Sequence, residues 1–301
     1  MKSRNQKVEL PELRERGIVL FVKREDELHP FISGNKFRKL KYNLESAKEL
    51  GKTTLLTFGG AFSNHLLATA CAGKEHGFKT IGIIRGEELK ENWKENPTLQ
   101  MAAAFGMRFH FVSREAYRQK SAPPFLKTLQ NTFGDFYPLP EGGTNALAVK
   151  GCQEILSEDD TLFDVVCSAV GTGGTMAGLI NAIRPNQKVW GYPALKGDFL
   201  KEDICKFAAN DNWRLITDYH FGGYAKMTRE LVDFINDFKK STGIPLDPIY
   251  TGKMLYGILD QVKKGQFEEG SHILAIHTGG LQGIKGMNLV LKKKMWPLLN
   301  I

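Results

Sequence analysis

A single lysine, Lys36, stands where a turn opens into a helical pattern, in the segment 33–40 that reads SGNKFRKL. Burial and neighbouring cations can lower the pKa of such an amine, which makes it nucleophilic toward an aldehyde. Most lysines are simply exposed, so the assignment depends on other segments that could hold the same aldehyde-bearing ligand.

The segment 171–175 reads GTGGT and lies between an apolar strand pattern and a helical one. Backbone N–H groups of such a loop can close on a phosphate at the start of a helix. The loop is not a Walker motif, because Leu179 follows Gly178 where that motif has lysine, and Met176 takes the third-glycine position of the dinucleotide fingerprint. Phosphate binding is favoured over a plain tight turn because strand, loop and helix come in the required order.

Three further segments carry polar side chains at turns. Ser63, Asn64 and His65 follow a strand and a glycine pair; they either cap a helix or bind a substrate carboxylate at its N-terminus. Thr278 follows the last strand and is either a turn former or a hydrogen-bond donor to a ring nitrogen. Tyr250 near a helix start and Tyr224 in a glycine-rich loop offer phenols, although tyrosines are more often packed than catalytic.

Strand-like and helical patterns alternate along the chain, which predicts parallel sheets covered by helices on both faces. Strands are predicted at 19–23, 53–58, 80–84, 109–112, 136–139, 163–170, 188–192 and 272–276. Helices are predicted at 36–50, 64–76, 98–105, from 146 to about 156, and 176–183.

Composition narrows the class of protein. The 301 residues carry a formal charge of +8, but the charges are mixed and only Lys292–Lys294 forms a tight basic run, so we expect no nucleic-acid partner. We also expect no membrane span and a cytoplasmic location, because the basic N-terminus lacks an apolar signal core. The four cysteines form no close pair, so no metal site is expected, and Cys71 and Cys167 are predicted to be buried free thiols.

Taken together, these segments resemble the pyridoxal-phosphate enzymes of the D-cysteine desulfhydrase and 1-aminocyclopropane-1-carboxylate deaminase family, within the tryptophan-synthase-β fold group. The resemblance follows chain order through 22–26, 34–40, 60–65, 141–145, 171–178, 250–253 and 277–280. It implies a two-domain α/β fold of type II, with an open, mainly parallel twisted sheet flanked by helices in each domain. The larger, cofactor-binding domain would comprise 1–43 plus 150–301 and the smaller, inserted domain 44–149, with the active site in the cleft between them.

The resemblance also implies roles for individual residues. Lys36 would bond to the cofactor aldehyde, Asn64 would bind the ring hydroxyl, and Thr278 would face the pyridine nitrogen. The phosphate would be held by Gly171, Thr172, Gly173, Gly174 and Thr175. Ser63, Asn64 and His65 would take the substrate carboxylate; Tyr224 and Tyr250 would line the substrate side, and with Lys36 and Ser63 they are the predicted catalytic residues.

The expected reaction is α,β-elimination of D-cysteine, with Lys36 as the base at Cα and pyruvate, ammonia and hydrogen sulfide as products. A neutral threonine beside the ring nitrogen favours elimination over transamination, and the Ser-Asn-His run is similar to the desulfhydrase branch. Thr251 stands where cyclopropane-opening members have glutamate. The alternatives are 1-aminocyclopropane-1-carboxylate deaminase, a threonine-dehydratase-like activity and a non-catalytic relative. Family likeness also implies a homodimer.

The chain departs from the family pattern in three places. Its N-terminal entry is shortened, Ser33 stands where many members have glycine, and the loop at 171–175 resembles cysteine-synthase relatives more than either named enzyme. These differences leave the identity of the substrate open.

Overall fold

The computed structural model describes residues 1–197 and 199–300, which form two β-sheets flanked by helices. The larger sheet has six strands in the order β1-β2-β10-β7-β8-β9. All its pairs are parallel except β1 with β2. Its strands are β1 Asn5–Val8, β2 Val19–Lys23, β7 Val165–Val170, β8 Lys188–Pro193, β9 Trp213–Leu215 and β10 His272–Ile276.

The smaller sheet is entirely parallel and has four strands in the order β5-β4-β3-β6. Its strands are β3 Thr54–Gly59, β4 Lys79–Arg85, β5 Arg108–Val112 and β6 Tyr137–Leu139. We propose that the two sheets are the cores of the two predicted domains, 1–43 plus 150–301 and 44–149.

Twelve α-helices occur among the described residues. They are α1 Pro11–Glu15, α2 Asn35–Glu49, α3 Asn64–His76, α4 Pro97–Ala104, α5 Arg114–Arg118, α6 Pro123–Phe133, α7 Ala146–Gln153, α8 Gly174–Ile180, α9 Phe199–Cys205, α10 Arg229–Thr242, α11 Thr251–Lys263 and α12 Gly283–Lys293. None of the described helices is long and apolar enough to cross a membrane.

The central strands are buried on both faces, as predicted. In β7, Val165, Cys167 and Ala169 pack into one hydrophobic cluster, whereas Val166 and Val170 pack into another on the opposite face. Successive side chains of a strand point to opposite faces, so a continuous apolar run is what a sheet covered on both sides requires. The predicted α/β class is therefore confirmed.

Most predicted elements are present with small shifts at their ends. The helix after the glycine loop begins at Gly174 and ends at Ile180, where the sequence predicted 176–183. Cys71 and Cys167 are buried free thiols, as predicted.

A close approach between chain segments joins α2 to the end of β10. Gly34 has φ +62°, and a Cβ there would lie 2.0 Å from the backbone oxygen of Thr278. Only glycine fits this position without displacing its neighbour. The beginning of α2, which carries Lys36, is thereby held against the carboxyl end of β10.

Candidate active site

A cavity of about 720 Å³ opens at the carboxyl ends of the parallel strands. In open α/β sheets this edge is where ligands bind, near the point at which strand order reverses. The cavity brings together most of the predicted site residues: Lys36, Ser63, Asn64, His65, Gly171, Thr172, Gly173, Thr175, Tyr224, Tyr250 and Thr278. Lys36 and the glycine loop, which are 135 or more residues apart in sequence, thus share one cavity.

Lys36 lies in the first turn of α2 and lines the cavity. Its Nζ donates to Asn35 Oδ1 at 3.0 Å. Burial, and then the positive charge of Lys39, lower the pKa of Lys36 to about 7. Part of the amine is therefore unprotonated at neutral pH, as reaction with an aldehyde requires.

The glycine loop is tied to the same helix. Asn35 Nδ2 donates to Thr175 Oγ1 at 2.7 Å, so one side chain contacts both Lys36 and the loop. Gly173 has φ +78°, a left-handed conformation that favours glycine. Gly174 is the one predicted site residue that does not lie on the cavity wall; a Cβ there would come 2.7 Å from Thr144, which makes it a packing position.

A buried lysine, Lys39, lies beside this loop. Its Nζ donates to Gly142 O at 3.0 Å and to Thr144 Oγ1 at 2.9 Å, and Thr144 Oγ1 is 2.6 Å from Thr172 Oγ1. Lys39 lines the cavity, and burial lowers its pKa. A cation and a hydroxyl next to backbone N–H groups form a suitable environment for a phosphate.

The N-terminus of α3 forms another part of the wall. Ser63 is the N-cap, and its Oγ accepts the N–H of Leu66 at 3.3 Å, so the predicted capping role is present. The N–H groups of Asn64 and His65 lie in the first turn, where no intrahelical acceptor exists. The sequence left capping and carboxylate binding as alternatives, but the geometry allows both at once.

His65 is 1% exposed, and both of its ring nitrogens lack a hydrogen-bond partner among the described residues. Burial, with the charges of Lys36 and Lys39, lowers its pKa well below 6.5, so the imidazole is neutral. Unpaired buried nitrogens are rare and costly. An imidazole of this kind on a cavity wall is suited to a polar ligand.

The turn that carries Thr278 is held by the neighbouring residue His277. Gly279 N donates to His277 Nδ1 at 3.3 Å, so the ring proton lies on Nε2, which donates to Pro245 O at 2.7 Å. Both ring nitrogens of His277 thus hold the turn after β10, and Thr278 in this turn lines the cavity.

Tyr224 and Tyr250 meet edge to face, with ring centroids 6.3 Å apart. Tyr250 immediately precedes α11, and Asp247 accepts the N–H groups of Ile249, Tyr250 and Thr251 at 2.7–3.3 Å. Burial raises the pKa of Tyr250 well above 10, so its phenol keeps its proton at neutral pH.

These residues fit pyridoxal phosphate. Lys36 offers an aldehyde-reactive amine, and the loop 171–175 with Lys39 suits the phosphate. Asn64 and Thr278 both line the cavity and are suited to the polar atoms of the ring, and the two ring nitrogens of His65 have no hydrogen-bond partner among the described residues. The cofactor assignment thus agrees with the donor set.

Sequence reasoning missed Asn35, Lys39 and Asp247. Asn35 and Lys39 belong to the motif around Lys36, and the spacing of three between the two lysines places them on one helix face. That spacing was a usable signal. The role of Asp247 could not be predicted because it depends on the local conformation of the turn before α11.

A trio of metal-ligand types, His29, Cys71 and Glu75, lies away from the cavity. His29 Nδ1 accepts the N–H groups of Phe31 and Ile32, so Nε2 carries the proton and faces Glu75 at 3.1 Å. A protonated ring nitrogen cannot ligate a metal, which argues against a metal at this trio.

Comparison with known proteins agrees with the cavity's chemistry. Residues 3–279 match the family described as pyridoxal-phosphate dependent enzymes. A bifunctional D-cysteine desulfhydrase/1-aminocyclopropane-1-carboxylate deaminase of Arabidopsis thaliana, a mitochondrial protein, is 32% identical, and the match covers 89% of this chain and 74% of that protein. A D-cysteine desulfhydrase of Serratia proteamaculans is 27% identical, and the match covers 88% of this chain and 87% of that protein.

A solved structure described as an ACC deaminase homologue superposes with a TM-score of 0.80 at 31% identity, covering 94% of this chain and 90% of that chain. Since the family match spans almost the whole chain and one cavity is lined by both the amine of Lys36 and the glycine loop, this protein belongs to the pyridoxal-phosphate-dependent enzymes.

Proposed function

We propose that the enzyme catalyses α,β-elimination of D-cysteine, with water consumed and pyruvate, ammonia and hydrogen sulfide released. The site roles predicted for Lys36, Ser63, Asn64, His65, Tyr224, Tyr250 and Thr278 are part of this proposal. When bound, pyridoxal phosphate supplies the electron sink for the pair left at Cα.

The observation that carries the proposal concerns the residue after Tyr250. Thr251 is fully buried, and its Oγ1 donates to Asp247 Oδ1 at 2.8 Å and accepts Asp247 N–H at 2.9 Å. Tyr250 lines the cavity, whereas its neighbour presents neither a carboxyl group nor a free hydroxyl to it. This supports elimination over cyclopropane opening, for which the resemblance implies a glutamate at the position of Thr251.

Lys36 is the proposed base. Its pKa of about 7 leaves a substantial neutral fraction at physiological pH, and Asn35 Oδ1 at 3.0 Å restrains Nζ. An amine with a pKa near the working pH is well matched to taking a proton from Cα and returning it later.

The substrate would be held from both sides. Ser63 and the N–H groups of the first turn of α3 suit its carboxylate, because unsatisfied N–H groups and the positive end of a helix favour an anion. The phenol of Tyr250 keeps its proton and can donate a hydrogen bond to the departing sulfur. Thr278 is a neutral hydroxyl and would not hold a proton on the ring nitrogen as a carboxylate does.

The alternative is 1-aminocyclopropane-1-carboxylate deaminase, which opens the ring to 2-oxobutanoate and ammonia. The name of the ACC deaminase homologue supports it, whereas the name of the Arabidopsis relative carries both activities. The homodimer and the cytoplasmic location expected from the sequence stay predictions.

The test is to incubate the cofactor-loaded enzyme separately with D-cysteine, L-cysteine, D-serine and 1-aminocyclopropane-1-carboxylate, measuring 2-oxo acid and sulfide. We expect pyruvate and sulfide in equal amounts from D-cysteine, and loss of both in Lys36→Ala. Lys48→Ala is the matched control, because Lys48 is an exposed lysine on the same helix. Preferential release of 2-oxobutanoate would establish the alternative, and inertness toward all four with cofactor bound would refute the proposed reaction.

A further inference from the structure

One buried lysine, Lys253 on α11, has no part in the reaction proposed above. It is 2% exposed, and its Nζ donates to His220 O at 2.9 Å and to Gly223 O at 2.8 Å. These partners are main-chain carbonyls rather than a carboxylate. A buried ammonium is costly, and an apolar side chain of similar size would fill the same space at less cost. The charge therefore calls for an explanation.

The two carbonyls belong to the loop 220–225, which carries Tyr224 to the cavity. The backbone of this loop is strained. Phe221 has φ +52° and Ala225 has φ +56°, a region that residues other than glycine seldom adopt, and the two glycines between them also have positive φ. A loop in such a conformation persists only when contacts from outside hold it.

Lys253 supplies such contacts from a rigid element. His220 O also accepts Gly223 N–H at 3.0 Å, and Gly223 O also accepts Lys226 N–H at 3.2 Å. Each carbonyl thus uses one lone pair within the loop and offers the other to the ammonium. Hydrogen bonds from a charged donor are about twice as strong as neutral ones.

Lys253 also lies in the first turn of α11, the helix that Tyr250 immediately precedes. The rings of Tyr224 and Tyr250 meet at 6.3 Å, so a shift of the loop relative to α11 would separate the two phenols. Burial lowers the pKa of Lys253 to about 8, while the charge of Asp247 opposes that shift; the side chain is therefore mostly charged at neutral pH.

We propose that Lys253 is a positioning residue: its ammonium clamps the loop 220–225 to α11 and thereby sets the place of Tyr224 beside Tyr250 and the substrate. The clamp is a property of the fold, whereas its effect on turnover rests on the function proposed above.

Hydrogen exchange tests the clamp without any assay of activity. In Lys253→Met we expect faster exchange of the amides of 220–226 and unchanged exchange in β7 and β10. Lys263→Met is the matched control, because Lys263 is exposed at the end of the same helix. Lys253→Gln, which keeps two N–H donors without the charge, is the second variant. Unchanged exchange in the loop would overturn the proposal. Failure of both variants to fold would also overturn it, because Lys253 would then stabilise the whole fold and not this loop in particular.

A double-mutant cycle tests the link to Tyr224, using the substrate of the panel that turns over fastest. We expect Lys253→Met to lower kcat/KM roughly tenfold to hundredfold in the wild-type background. In the Tyr224→Phe background it should lower kcat/KM by less than about twofold, because residues that act as a unit are not additive. Equal losses in both backgrounds would refute the positioning role. If the wild type turns over none of the substrates, the proposed function fails, yet hydrogen exchange still decides whether the clamp exists.

Discussion

Replacing Gly34 by alanine tests whether the contact between α2 and the end of β10 positions Lys36. The added Cβ would lie 2.0 Å from Thr278 O, well inside the optimal separation of about 3.5 Å for non-bonded atoms. The backbone of Gly34, at φ +62° and ψ −137°, lies outside the left-handed helical region and costs an alanine about 1–3 kcal/mol, and the overlap adds about 1–3 kcal/mol. We therefore expect the free energy of unfolding to fall by about 2–6 kcal/mol.

Gly51→Ala is a matched control, because Gly51 has φ +64° but no atom within 4 Å of the added Cβ. Its free energy of unfolding should fall only by the conformational cost of a positive φ, about 1 kcal/mol. Urea denaturation of the two variants without cofactor gives the difference. The overlap in Gly34→Ala also has to shift α2 or Thr278 by more than about 1 Å, which should lower kcat about a hundredfold. Equal stability and activity in the two variants would refute the reasoning.

Three other predictions follow from single groups at the site. Without cofactor, the free energy of unfolding of the wild type should rise relative to that of Lys36→Met by up to about 1.4 kcal/mol per pH unit between pH 7 and 9, measured by urea denaturation. The pKa of Lys36 is about 7 in the folded protein and higher in the unfolded chain, so the unfolded chain binds more protons in this range. Asp247→Asn should lose about 2–3 kcal/mol of unfolding free energy and also kcat/KM, since its carboxylate accepts three backbone N–H groups around Tyr250. Lys39→Met should raise the dissociation constant for pyridoxal phosphate at least about tenfold, measured by equilibrium dialysis, because it removes the cation beside Thr172.

Each of these has a result that would contradict it. A constant difference between wild type and Lys36→Met from pH 7 to 9 would mean that the amine has an ordinary pKa. Wild-type kinetics in Asp247→Asn would show that the turn before α11 does not determine the position of Tyr250. Unchanged cofactor affinity in Lys39→Met would place the phosphate elsewhere.

The strands that end at the site, β7 and β10, could be predicted from the sequence because local sequence patterns mark them. The apolar run 165–170, followed by a loop with three glycines and then a helical pattern, predicts a buried strand that leads to a tight loop. The segment 272–278 carried the same signal. In both cases the site residue follows the strand directly, so predicting the strand also placed the residue at the edge of the sheet.

The parts that the sequence did not reveal depend on distant contacts or lack an apolar pattern. β1 is an edge strand of mostly polar residues, recognisable only through its antiparallel pairing with β2. β9 has three residues and pairs with β8 alone. Lys39, in contrast, lies inside a recognised motif, but its burial depends on Gly142 and Thr144, about a hundred residues away. Phosphate binding by Gly174 stays a prediction from the glycine loop, whereas its packing against Thr144 is visible only in three dimensions.

The central claim is that the ε-amine of Lys36 carries the cofactor. Sodium borohydride fixes a lysine-bound pyridoxal phosphate irreversibly to its amine, and peptide mass spectrometry then locates it. We predict the label on Lys36 alone, and none on the Lys36→Ala protein treated in the same way. Label on Lys39 or on any other lysine of the wild type, with Lys36 unmodified, would contradict the account.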